Sequence, residues 1–234
     1  MPKRRPKILD SYNLNESFTS KNEYRYFANA DPTEHLIAWF RFDTSQVFDD
    51  SLNGSHTVGI TGTANFVKAS PFNQRKIGNL RKTIGGTSPT LEVASSGDFT
   101  FGDAAGGESD SAYSMHWWVK TKLFSQNVTL CSKIPGANLA LVIKTNSGTF
   151  SWSQGEGGNT VIQSLALDSS YDDSWTHVVI TYDGLSPSEM SNADAQAAMK
   201  LYINGTLTST TASAAGSYTG MDGTDAELEL SGFN

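Results

Sequence analysis

The sequence predicts an all-β chain, an antiparallel β-sandwich of jelly-roll type, on three observations. First, Met199-Lys200-Leu201-Tyr202-Ile203 and Thr206-Leu207 flank Asn204-Gly205. Two β-favouring runs around Asn-Gly are the strongest short hairpin signal, because a two-residue type I′ turn needs positive φ at both positions. Second, strand-like runs recur at short intervals between turn residues, with almost no amphipathic helical period. Third, the Thr, Val, Tyr and Trp content suits pleated, half-buried surfaces.

Taken in order, residues 1–34 are polar with scattered aromatics (Tyr12, Phe18, Tyr24, Tyr26, Phe27) and no lasting period. They read as an extended docking arm, since disordered segments are poorer in aromatics. Residues 35–234 form one domain. His35-Leu36-Ile37-Ala38-Trp39-Phe40-Arg41-Phe42-Asp43 opens it as a strand, followed by the loop 49–56. Leu91-Glu92-Val93 is a short strand, and Phe99-Thr100-Phe101-Gly102-Asp103 leads into the loop 104–110. In Tyr113-Ser114-Met115-His116-Trp117-Trp118-Val119-Lys120, alternation puts Tyr113, Met115, Trp117 and Val119 on one face and Ser114, His116, Trp118 and Lys120 on the other. Trp117 and Trp118 therefore cannot share a core. Residues 128–133 make a strand around the single cysteine, Cys131, which reads as a buried, inert thiol. Residues 139–143 and 148–152 form a hairpin, and 161–167 precede the strand that begins at Trp175. Residues 185–199 are an enlarged loop with a helical turn or two from 193 to 199, and 226–232 is a late strand.

Four ordered segments carry a family resemblance. They are "L-I-A-W-F-R-F-D" at 36–43, "Y-S-M-H-W-W-V-K" at 113–120, "L-C-S-K" at 130–133, and the pair "W-x-H-V-x-x-x-Y-D-G … L-Y-I-N-G" at 175–184 and 201–205. Together they resemble laminin-G-like, concanavalin A-like lectin/glucanase jelly-roll domains. The resemblance implies a structural, buried and hydrogen-bonded His177, calcium near the first loop, and one further strand of the "G-x-I-D-D-V-R-I-Y" type that this sequence lacks. A weaker similarity, in "F-T-F-G-D … S-D-S-A-Y-S", points to such domains in phage virion structural proteins.

The formal net charge is −7. Residues 1–34 carry six Lys/Arg and five Asp/Glu, and the remainder eleven and nineteen. An acidic body argues against nucleic acid as partner. No run is long and apolar enough for membrane insertion, and no apolar stretch of signal-peptide length follows the basic start. With one cysteine, the expectation is assembly in a host cytoplasm and display on a virion surface. The expected function is a non-catalytic surface-recognition or decoration domain that contacts virion proteins through residues 1–34 and a neighbouring subunit or host glycan elsewhere. The alternatives are a purely structural capsid or tail subunit, with oligomerisation through an open sheet edge, and an accessory carbohydrate-binding domain of a cellular enzyme.

No enzymatic constellation is present in the sequence. The "E-x-D-x-x-E" strand motif of jelly-roll glycosidases is missing, and Glu227 and Glu229 lack the central Asp. There is no nucleophile elbow and no phosphate loop. His35, His56, His116 and His177 have no zinc-like spacing. The candidate contacts are Trp118, as a stacking platform, and the basic cluster Arg75, Lys76, Arg81 and Lys82. Candidate contact loops are 49–56, 104–110, 154–160 and 185–199. Asp43, Asp49, Asp50 and Asn53 are the candidate Ca2+ ligands, since calcium takes six to eight oxygens from such loops. Millimolar calcium is expected to raise the Tm, and Asp50→Ala to abolish the rise. An unchanged Tm removes the site.

Overall fold

A computed structural model describes residues 40–41, 48–49, 56–61, 65–67, 77–79, 90–102, 109–120, 127–134 and 140–232. Its strands are β1 (Phe40–Arg41), β2 (Phe48–Asp49), β3 (Val58–Thr61), β4 (Asn65–Val67), β5 (Ile77–Asn79), β6 (Thr90–Val93), β7 (Tyr113–Val119), β8 (Val128–Lys133), β9 (Leu141–Asn146), β10 (Thr149–Glu156), β11 (Asn159–Ala166), β12 (Thr176–Tyr182), β13 (Met199–Ile203), β14 (Thr206–Leu207), β15 (Thr211–Ala215) and β16 (Leu228–Gly232). Among the described residues one α-helix, α1 (Asn192–Ala198), precedes β13. The strands form an eight-stranded sheet, β15-β11-β10-β9-β8-β16-β6-β3, a four-stranded sheet, β14-β13-β12-β7, and two small ribbons, β1-β2 and β4-β5. Every pairing is antiparallel.

The predicted turns form where the chemistry allows positive φ. Asn204 (φ 51) and Gly205 (φ 80) link β13 to β14. Ser147 (φ 46) and Gly148 (φ 81) link β9 to β10 in the same way. The helical turn expected at 193–199 is α1, capped by the Ser191 hydroxyl, which accepts from the Asp194 N–H at 3.1 Å.

Alternation then builds a sandwich. Tyr113 on β7, with Met115, Trp117 and Val119, faces inward with Val178, Ile180 and Tyr182 of β12 and Met199, Leu201 and Ile203 of β13. Val93, Cys131, Leu141, Ile143, Phe150, Trp152 and Val161 of the larger sheet close the core from the other side. Trp152 is fully buried, and its ring meets Tyr113 edge-on at 6.2 Å. Burial, with a smaller contribution from Glu229, pushes the Cys131 thiol up to about 12, as an inert core thiol requires. Lys133 is buried too. Its Nζ donates to the Phe99 carbonyl at 2.9 Å, and burial lowers its pKa against the opposing pull of Asp225 and Asp222.

The predicted late strand is β16, which lies inside the sheet between β8 and β6. The strand before it, β15, lies at the far edge. The sequence reading missed β15, because Thr-Ala-Ser-Ala-Ala has weak strand character and its pairing with β11 is a tertiary event. Residues 216–227 carry the chain from one position to the other. This crossing is held by a buried polar cluster around Asp110, which is 6% exposed. Asp110 Oδ2 accepts from the hydroxyls of Tyr182 (2.7 Å) and Tyr218 (2.5 Å), and Oδ1 accepts from the Met221 N–H at 2.9 Å. The Tyr113 hydroxyl donates to Gln154 Oε1 at 2.6 Å, and Gln154 Nε2 donates on to the Tyr218 oxygen at 3.3 Å. Burial is the leading cause that pushes all three phenols up, so each stays a protonated donor. Gly102 completes the fit: a Cβ there would lie 1.9 Å from the Met221 carbonyl oxygen.

Removing the acceptor strands the Met221 N–H and leaves the Tyr182 and Tyr218 hydroxyls only each other, 3.3 Å apart, so two buried donors lose their partner at about 1–3 kcal/mol each. Asp110→Ala is therefore expected to lower unfolding free energy by about 3 kcal/mol or more in urea titration, and Tyr218→Phe by about 1–2 kcal/mol. Equal losses for the two variants would contradict this account of the cluster.

Candidate functional site

The described parts of three of the four candidate segments meet at one rim. The backbone of Asp110 exchanges hydrogen bonds with Leu185, N–H to carbonyl at 2.8 Å and back at 3.3 Å, which joins the end of 104–110 to the start of 185–199. Asn192, at the start of α1, binds the crossing segment twice. Its Oδ1 accepts from the Tyr218 N–H at 2.7 Å and its Nδ2 donates to the Gly216 carbonyl at 3.1 Å. The Asp222 N–H donates to the Gly155 carbonyl at 3.1 Å, which brings in the β10–β11 hairpin; the loop expected at 154–160 is strand up to Glu156 and again from Asn159, with its turn at Gly157-Gly158. Ser186 and Glu189 brace the enlarged loop, with the Ser186 N–H and hydroxyl both donating to Glu189 Oε2 (3.0 and 2.6 Å). These bonds hold the Glu189 carboxyl below the usual carboxylate range. Of the fourth loop, the backbone of Asp49, which ends β2, and the whole of His56 are described. Its Nε2 sits 3.1 Å from Asp98 Oδ2, and its ring lies 4.7 Å from that of Phe99.

The outward face of the four-stranded sheet carries the second group. Cross-strand register pairs Trp118 with His177, His116 with Val179, and Val179 in turn with Tyr202. Trp118 is 42% exposed, and its ring lies over that of His177 at 4.7 Å and 15°. His116 meets His177 edge-on at 5.9 Å. The face thus presents an indole in a set orientation, flanked by two imidazoles. Both imidazoles titrate below their ordinary value: His116 through desolvation and then the charge of His177, and His177 through desolvation. Chemically, such a surface can stack on a flat or apolar ligand face and exchange hydrogen bonds at its margin.

The expected division of Trp117 and Trp118 holds, with Trp117 packed against the core and Trp118 on the surface. His177 departs from the expectation of a buried, hydrogen-bonded side chain. It stands on the outer face, half-buried, because its strand parity is opposite to that of core-facing Thr176 and Val178. The sequence spacing kept His116 and His177 apart, and only the β7–β12 register brings them together. Glu229 Oε2 accepts from the Ser132 hydroxyl at 3.1 Å and faces Glu92 across the strands, while Glu227 precedes β16. Among the described residues no group of three or more His, Cys, Asp or Glu is placed to hold a metal. The side chains of Asp43, Asp49, Asp50 and Asn53, the basic cluster Arg75, Lys76, Arg81 and Lys82, and the arm 1–34 lie outside the described residues.

The sequence profile of the concanavalin A-like lectin/glucanases superfamily matches residues 93–227. No curated protein matches the sequence. Among solved structures, the chain is similar to the binding domain of Paraclostridial mosquitocidal protein 1, at 14% identity and a TM-score of 0.60 over 87% of this chain and 46% of that one. It is also similar to the botulinum neurotoxin serotype G binding domain (14%, 0.54, 84% and 46%). A third is the botulinum neurotoxin DC binding domain in complex with rat synaptotagmin II (15%, 0.52, 83% and 43%). At these identities the likeness is one of fold, and the chain spans just under half the length of each of these structures.

Because the two imidazoles are depressed in the folded state, the unfolded chain binds more protons than the folded one just below the ordinary value of 6.5. Their contribution to stability is complete above that value and falls as pH drops through the window beneath it. Denaturant midpoints measured between roughly pH 7.5 and 5 should decline, and His116→Gln with His177→Gln should flatten the decline. An unaltered slope in the double variant would refute the assignment.

Proposed function

The chain belongs to the concanavalin A-like lectin/glucanases superfamily, and from that premise we propose a non-catalytic recognition domain that binds a glycan or a protein surface. The observation that carries the reading is Trp118, an exposed indole held in place by a stacked histidine on the outer face of a rigid sheet. A ring whose orientation is set in advance loses little freedom on binding. The solved neighbours named above are themselves binding domains, one in complex with a protein receptor. That supports recognition in preference to catalysis, as does a sequence without the paired carboxylates of glycosidases. The rim loops, tied to one another through Asp110, Asn192 and Gly155, offer a second contact zone.

The setting we propose is a virion surface, with residues 1–34 docking on neighbouring virion proteins. Its support is the similarity of "F-T-F-G-D … S-D-S-A-Y-S" to phage structural domains. The purely structural reading, a capsid or tail subunit without a ligand, has no observation of its own that favours it.

Two measurements test the proposal together. The full chain on a glycan array should retain at least one glycan, and Trp118→Ala should weaken that binding about tenfold with unchanged unfolding. Mass spectrometry of purified particles should detect the chain. Retention unaffected by Trp118→Ala overturns the contact site, no binding to any glycan or surface protein overturns recognition, and absence from particles overturns the setting.

A further inference from the structure

Strand β15 (Thr211–Ala215) ends the eight-stranded sheet, and its outer edge is unpaired among the described residues. In a two-residue hairpin the residues flanking the turn form the hydrogen-bonded pair, here Glu156 and Asn159 across Gly157-Gly158. Directions alternate along β11, so Asn159, Val161 and Gln163 bond back to β10. Thr160, Ile162 and Ser164 bond the other way, to Ala215, Ser213 and Thr211 of β15. Ala212 and Ala214 therefore turn their backbone N–H and C=O groups away from the sheet, over its open edge. Among the described residues, no backbone bond outside the ladders uses them.

The strand is braced and regular. Gln196 Nε2 donates to the Ser213 carbonyl at 2.8 Å and Asn192 Nδ2 to the Gly216 carbonyl at 3.1 Å, which ties β15 to α1. Its register with β11 is unbroken from Thr211 to Ala215. Every residue of β15 is exposed, those of the inner face included. Sheet edges are usually blunted by charge, proline or a bulge. This edge has none of the three. From Leu201 through Met221 the sequence holds no charged residue and no proline, and β11 behind it is uncharged as well.

The occupant follows from symmetry and charge. The chain carries a formal net charge of −7, so two copies repel each other in general. A two-fold contact sets each residue near its own copy, and any charge within it meets a like charge. The uncharged end formed by β11 and β15 is a place where two copies meet without that cost. The backbone then dictates the register. Ala212 of one copy must exchange bonds with Ala214 of the other, and Ala214 with Ala212, which sets Ser213 opposite itself on the axis.

We propose that two copies of this chain associate edge to edge through β15, antiparallel about an axis at Ser213, so that the larger sheet continues from one copy into the other. Main-chain bonds supply the attachment, and the small side chains of Thr211, Ser213 and Ala215 let the strands close without a clash. Trp118 stands on the other sheet, so this contact stands or falls independently of the glycan experiment.

The test uses the full chain. Sedimentation velocity from about 5 μM to about 1 mM should show a monomer–dimer equilibrium, and amide exchange of Ala212 and Ala214 should slow as concentration rises. Ser213→Lys and Ser213→Glu, at an exposed position, should each weaken association about tenfold or more, and an equimolar mixture of the two should restore it as a heterodimer. Circular dichroism checks that both variants fold; if either does not, amide exchange in the unaltered chain decides alone. A chain that stays monomeric throughout overturns the proposal. So does a dimer indifferent to Ser213→Lys, a mixture that fails to recover, or concentration-dependent protection that falls outside β15.

Discussion

A single buried carboxylate organises the mouth of this sandwich. Asp110 lies just ahead of β7, and it gathers hydroxyls from β12 and from the crossing segment together with a backbone N–H from the same segment. The crossing segment must pass from the sheet edge at β15 to an interior slot between β8 and β6. A polar backbone carried across the end of an apolar core needs partners along its whole path, because each unmet group costs about as much as a lost hydrogen bond. Asp110, Asn192 and Gly155 supply those partners. Tyr113 and Gln154 extend the same cluster into the core, where it meets Trp152.

This arrangement explains why the rim loops form one rigid group. The β10–β11 hairpin end and the segment 185–199 are not free arms, since each is bonded to the crossing segment or to Asp110 itself. A recognition surface built on such loops begins close to its bound shape, which lowers the ordering cost of binding. The outer sheet face reaches the same end by another route. There the β7–β12 register stacks an indole on an imidazole and needs no loop at all.

The two edges of the four-stranded sheet differ in kind. At one, β7 carries Trp118, with its partner ring on the neighbouring strand. At the other, β14 ends after two residues and leaves β13 longer than its neighbour. Short edge strands ordinarily limit unwanted pairing.

What the sequence determined by itself was local. Asn204-Gly205 and the turn residues before Thr149 specified hairpins, because positive φ is a property of single residues. Strict alternation in 113–119 and 176–182 specified which side chains face the core, and so separated Trp117 from Trp118. The order of motifs specified the family. The sequence did not disclose β15, the place of β16 between β8 and β6, the meeting of His116 with His177, or the Asp110 cluster. Each of these joins residues far apart in the chain: Asp110 is 108 residues from Tyr218. No local preference marks an aspartate, a tyrosine or an alanine-rich run for such a role. Register and sheet order select those partners, and they exist only once the two sheets have closed on each other.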